Sequence, residues 1–148
     1  MSLPPSTGQY GSAFYTPKDP LELSEKSGTV YHIPCGDCAA SYIGESNRPL
    51  GARLAEHRRP SCTNSPVVGH ALDTGHDINW GDVRVLDTEH KWFERGVRES
   101  IQIARHGSSL NRDGGRFQLP KIYINLLRNI DSSDSQRHLR GTSEQADG

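Results

Sequence analysis

The feature that most constrains this chain is the stretch from residue 29 to residue 44. Two short runs rich in β-branched and aromatic residues, 29–33 and 39–43, flank the turn Pro34-Cys35-Gly36-Asp37-Cys38. Such runs read as strands, and the prolyl-glycyl turn between them forces the second back beside the first. Each run carries a tyrosine, Tyr31 and Tyr42, with ten residues between them. The two phenols then lie on neighbouring antiparallel strands, and the turn presents a Cys-x-x-Cys. Gly44 is read as the end of the second strand.

The remaining periodic segments supply helices and one more strand. Asn47-Arg48-Pro49 opens a helix with Leu50 and Leu54 as its apolar stripe, and Pro60 ends it. Arg53 and His57 are four residues apart and share a face of that helix. Ser65-Pro66 starts a second helix with Val67, Val68, Ala71 and Leu72 on its apolar side and Gly75 as its C-terminal stop. Residues 82–87, with Val83, Val85 and Leu86, read as a third strand. A longer helix is expected from about 89 to 105. Its buried stripe is read as Phe93, Val97, Ile101 and Ala104, with Glu99 off that stripe in a row with Gly96 and Ile103. Residues 119–127 are apolar enough to dock back on the core. The order β-β-α-α-β-α predicts a small α/β (α+β) fold: a three-stranded, mainly antiparallel sheet flanked by helices.

The 148 residues fit one domain. Residues 1–27 and 129–148 have little to bury and are expected to be disordered tails, leaving a folded domain at 28–128. That domain holds 13 Lys/Arg and 11 Asp/Glu, so any phosphate binding must come from a local patch. No apolar run is long enough to span a membrane. No basic-then-apolar leader opens the chain, so an intracellular protein is expected. A core of about 100 residues is small and gains from a staple.

The cysteines offer one. Cys35-x2-Cys38 is followed by His70-x5-His76, with 31 residues between Cys38 and His70. Two thiolates and two imidazoles suit tetrahedral zinc, and four protein ligands make the site structural. Cys62 is a possible substitute ligand or a free loop thiol. The competing reading leaves Cys35 and Cys38 as ordinary thiols and both histidines on the surface.

A second constellation is Tyr31, Tyr42, Arg53, His57, Glu99 and Asn111. Phenols, a guanidinium, an imidazole and a carboxylate suit phosphodiester hydrolysis, which needs a base, a cation for the phosphate and an anchor for a divalent metal. Singly, each has a plainer reading. The tyrosines could be packing, Arg53 and His57 a solvated face, Glu99 a partner of Arg95, and Asn111 a turn former.

As a set, these residues resemble the GIY-YIG endonuclease family. Val30-Tyr31, ten residues, then Tyr42-Ile43-Gly44 is similar to its two-part signature, and Arg53-x3-His57, Glu99 and Asn111 follow in order. Cys35 and Cys38 between the half-motifs, with a downstream histidine pair, resemble the endonuclease domain of Penelope-like retroelements. Thr29 departs from the pattern, standing where the first glycine belongs. The resemblance implies a metal-dependent DNA endonuclease with one Mg²⁺ or Mn²⁺ at Glu99 and one structural zinc. Tyr31 would be the general base or its partner, and Tyr42 would position the water or share that role. Arg53 would stabilise the phosphate, and His57 would hydrogen-bond the phosphate or assist proton transfer. Asn111 would brace the site, and Arg48, Arg53 and Arg58 would contact DNA. It also implies nuclear location in a eukaryote, and a reverse transcriptase or element RNA as partner in a parent element.

Two alternatives stand beside it. One is a zinc-stapled module that binds DNA or protein without cutting. The other is a redox protein, disfavoured because the Cys-x-x-Cys lies between strands and not at a helix start, where thiolates are activated.

Overall fold

The computed structural model describes residues 22–144, with side chains through residue 135. Three strands, β1 (Thr29–Pro34), β2 (Ser41–Ser46) and β3 (Arg84–Thr88), form an antiparallel sheet in the order β2-β1-β3. Four helices accompany it: α1 (Leu50–His57), α2 (Pro66–Thr74), α3 (Trp92–His106) and α4 (Lys121–Glu144). The fold is α+β, as expected from the element order.

β1 is the central strand, and both of its faces are covered. Tyr31 and Ile33 pack with Leu50, Leu54 and Val67 from α1 and α2. Val30 packs on the opposite face with Ile43 of β2 and Ile103 of α3. A central strand buried on both sides has to be apolar throughout, which is why residues 29–33 lack the polar alternation of a one-faced strand.

β2 is longer than expected. It continues through Gly44 to Ser46, and Gly44 lies opposite Tyr31 in the pairing register. The glycine does not stop the strand but makes room: a Cβ there would lie 2.6 Å from Tyr31 Oη and 2.8 Å from Tyr42 Cε1. α1 begins after Pro49, which takes the N-cap position. α2 runs as read from sequence, from Pro66 to a left-handed Gly75 at φ 74°. Leu72, however, is 64 % exposed, so the apolar side of α2 narrows to Val67 and Val68 with Ala71 half-buried.

α3 overturns the expected stripe. Its buried residues are Arg95, Gly96, Glu99, Ser100 and Ile103, while Phe93 is exposed and Val97, Ile101 and Ala104 are half-buried. Glu99 therefore lies in the buried row, not off it. The polar row turns inward because it meets charged partners, Glu45 on β2 above all, that sequence periodicity does not register.

The expected tails, 1–27 and 129–148, lie partly outside the described residues. Residues 1–21 and 145–148 lie outside the described residues. Residues 22–27 include a single helical turn, Leu23–Glu25, and the Lys26 carbonyl accepts the Leu50 N–H at 2.8 Å, capping α1. Residues 129–144 continue α4, whose side is tied to α3 by a two-pronged Arg105–Asp131 ion pair. Docking of residues 119–127 is partial. Ile124 and Leu127 are half-buried, whereas Ile122, Tyr123, Leu126 and Ile130 face outward.

Candidate metal centre and cleft

The turn between β1 and β2 is a knuckle closed by the Cys35 N–H on the Ala40 carbonyl, at 2.9 Å. The N–H groups of Asp37 and Ala40 point at Cys35 Sγ and Cys38 Sγ, at 3.4 and 3.5 Å. The segment after α2 is pinned to this knuckle. Cys35 bridges Ile78, Gly36 N–H meets the Asp77 carbonyl at 2.8 Å, and Asn79 N–H meets the Pro34 carbonyl at 3.0 Å. With the chain reversed at Gly75, His76 comes back beside the cysteines.

The ligand atoms of Cys35, Cys38, His70 and His76 lie within 4.8 Å of one another. Sulfur-to-nitrogen separations are 3.5 Å for Cys38–His70, 3.4 Å for Cys35–His70 and 3.7 Å for Cys35–His76. Tetrahedral zinc with ordinary Zn–S and Zn–N bonds sets that edge at about 3.5 Å. The group could hold a structural zinc, with His70 through Nε2 and His76 through Nδ1. Cys62 is a half-buried free thiol outside the cluster.

The second constellation gathers at the edge of the sheet. An open cleft of about 390 Å³ runs over β2, the edge strand, and is lined by Tyr42, Arg53, Glu99 and Asn111. Because it straddles an edge, it takes residues from both sheet faces: Tyr42 from one, Glu45 from the other. Asn111 closes the strand's free side, accepting the Ile43 N–H at 2.9 Å and donating to the Ile43 carbonyl at 2.7 Å. An asparagine here does the work of a fourth strand.

Tyr31 and His57 lie behind the cleft wall. Tyr31 is fully buried and His57 is 2 % exposed. Tyr31 Oη is 3.0 Å from His57 Nε2, and the Tyr31 and Tyr42 ring centres are 6.4 Å apart. Burial pushes the Tyr31 phenol up, Tyr42 adds to the rise, and Arg53 opposes it. The Tyr42 phenol is raised for the same first reason. Burial, helped by the Arg53 charge, pushes His57 down to about 4, so its imidazole is neutral at pH 7. Glu99 is raised by burial. Its carboxylate has only a long hydrogen bond, 3.4 Å from the Arg116 N–H, among the described residues. Arg95, the partner in the plainer reading of Glu99, instead pairs with Glu45 and donates to the carbonyls of Glu89 and His90.

The basic residues divide. Arg48 and Arg53 both grip Glu56, at 2.7 and 2.8 Å, and hold its carboxyl down to about 2. Arg58 lies elsewhere, over the Trp80 ring at 4.9 Å, in the groove beneath α2. Arg112 and Arg116 line the cleft in its place, with Glu45 and Asp113. Sequence reading missed all four. Glu45 follows directly on the Tyr42-Ile43-Gly44 motif, and Arg112 and Asp113 follow Asn111, so adjacency was the available signal. Ser65, read as a helix start, was missed in another role: its Oγ is 2.8 Å from His57 Nδ1.

No family model, no curated protein and no solved structure matches this chain. Among the described residues, no helix is long and apolar enough to cross a membrane.

Proposed function

We propose that the chain is a divalent-metal-dependent DNA endonuclease of GIY-YIG type, derived from a retroelement and clipped by a structural zinc. One observation carries the reading: Tyr42, Arg53, Glu99 and Asn111, drawn from β2, α1, α3 and the loop after α3, line a single open cleft. Such convergence from sites far apart in sequence is what phosphoryl chemistry requires and what unrelated surface residues do not provide.

The residues divide the work. Arg53 is the cation for the phosphate, with Arg112 and Arg116 in the same cleft, Arg116 paired with Glu45. Glu99 would hold the Mg²⁺ or Mn²⁺. A buried carboxylate with one long hydrogen bond is a poor host for its own charge and a good one for a hard cation. That ion, when bound, stabilises charge on the phosphate and acidifies water. Tyr42 lies at the cleft wall, where it meets water and substrate. Tyr31 stays behind it, hydrogen-bonded to His57 Nε2. The zinc reading rests on the tetrahedral fit of the four ligands, and the retroelement reading on their position between the two tyrosine motifs. A nuclear setting and an element's reverse transcriptase or RNA as partner follow from that origin alone.

The test is nicking of supercoiled plasmid with Mg²⁺ or Mn²⁺. Glu99→Gln keeps the shape and removes the charge. Rates should fall by about 10²-fold or more, since the ion contributes several kcal/mol, with zinc content and melting temperature unchanged. Wild-type cutting rates in Glu99→Gln would refute the metal role. A wild-type protein that binds DNA but cuts no form of it would leave a zinc-clipped binding module.

A further inference from the structure

Ser65 occupies the N-cap position of α2. A serine there ordinarily turns its hydroxyl onto a backbone N–H of the first helical turn. Ser65 does not: it makes no side-chain cap hydrogen bond among the described residues. Its Oγ is spent on His57 Nδ1 at 2.8 Å, in a pocket where Ser65 is only 5 % exposed.

His57 thus has both ring nitrogens engaged, Nε2 by Tyr31 Oη at 3.0 Å and Nδ1 by Ser65 Oγ. A neutral imidazole offers one N–H and one lone pair, and its neighbours decide which nitrogen carries which. Tyr31 is fully buried and keeps its phenolic hydrogen. Nε2 is the acceptor within its reach among the described residues. With Nε2 accepting, the hydrogen sits on Nδ1, and Ser65 Oγ receives it. Without the serine, a buried Nδ1–H would have no acceptor, and the ring would place its hydrogen on Nε2.

We propose that Ser65 is a positioning residue: it holds His57 as the Nδ1–H tautomer, so that Nε2 faces Tyr31 as a hydrogen-bond acceptor. It does so from the helix that carries His70, one ligand of the metal centre. In this tautomer Nε2 accepts the hydrogen bond of the Tyr31 O–H and holds the phenol in place. In the other, Nε2 already carries a hydrogen and cannot accept. The catalytic consequence rests on the nuclease reading; the tautomer does not.

The experiment is nitrogen-15 NMR of histidine-labelled, zinc-loaded full chain, with the His57 signal assigned from His57→Gln. Wild-type His57 should show a protonated Nδ1 and an unprotonated Nε2. In Ser65→Ala the pattern should reverse, with zinc content retained, and in Ser65→Thr the wild-type pattern should return. Nicking by Ser65→Ala should fall roughly 10- to 100-fold in kcat with KM unchanged. A wild-type His57 protonated on Nε2 overturns the proposal without any variant, even if the protein cuts DNA. A wild-type chain with Nδ1–H His57 that cuts nothing overturns the nuclease reading and leaves the positioning role intact. A reversed tautomer in Ser65→Ala with full cutting rate overturns the catalytic consequence.

Discussion

Thr29 Oγ1 is buried with no hydrogen-bond partner among the described residues. This is the position where the GIY-YIG pattern has glycine, and the hydroxyl brings a desolvation cost that no partner among the described residues offsets. Valine has the same shape and suits a central strand, so Thr29→Val should stabilise the fold by about 1 kcal/mol in urea unfolding. Destabilisation would show that the hydroxyl has a partner after all. His57 makes a second prediction at this scale. Its folded pKa of about 4 lies below the ordinary histidine value. Between about pH 6.5 and 4 the unfolded chain therefore takes up a proton that the folded chain refuses, and stability falls as pH falls. The loss is fully developed below about pH 4 and absent above about 6.5, on the order of 2–3 kcal/mol. The comparison with His57→Gln isolates this one group. Stability curves of that variant and wild type should diverge across this window, and parallel curves would remove the claim.

Among the elements, β2 carries the tightest constraint. A Cβ at Gly44 would meet the Tyr31 phenol at 2.6 Å, and that ring is walled in on all sides. Gly44→Ala should cost about 1–3 kcal/mol and push Tyr31 off His57, so cutting should fall with stability; an unchanged melt would mean the strand can give way. Strand and helix types were legible in the sequence because burial imposes period. The β-branched run at 29–33, Ser65-Pro66 and Gly75 each announce their element through backbone chemistry. The inner face of α3 was not legible. Its apolar period selects Phe93 and Val97, yet Arg95 and Glu99 turn inward because Glu45 and the cleft lie there. Charge pairing across the sheet overrides a hydrophobic pattern, and only the fold tells which charges meet. For the same reason Asn111 could be placed in the site, whereas Ser65 and Arg116 could not.

At the scale of the whole molecule, a zinc held by Cys35, Cys38, His70 and His76 would fasten sheet to helix on one side of the fold. The core is two small clusters, one on each face of β1. Cys35 and Cys38 belong to the strand turn, His70 to α2 and His76 to the segment after it, so an ion there closes the chain across residues 38–70. Treated as a cross-link, closing a loop of that length stabilises by about 3–4 kcal/mol, which is roughly 10 °C or more in melting temperature for a domain of this size. A rival account is available in the structure itself. The Cys35–Ile78 bridge and the Gly36–Asp77 and Asn79–Pro34 hydrogen bonds already tie knuckle to chain, and could suffice without metal. Those bonds, however, reach residues 77–79, and α2 itself is held by Val67 and Val68 in the core and by Ser65 on His57. Purified protein should therefore carry about one zinc per chain. Cys38→Ser should lose the ion and melt lower by that amount, with α2 amides exchanging first, while Cys62→Ser changes neither metal content nor melt. If Cys38→Ser melts with the wild type, the backbone bridges are the fastening and the four ligands hold nothing that the fold needs.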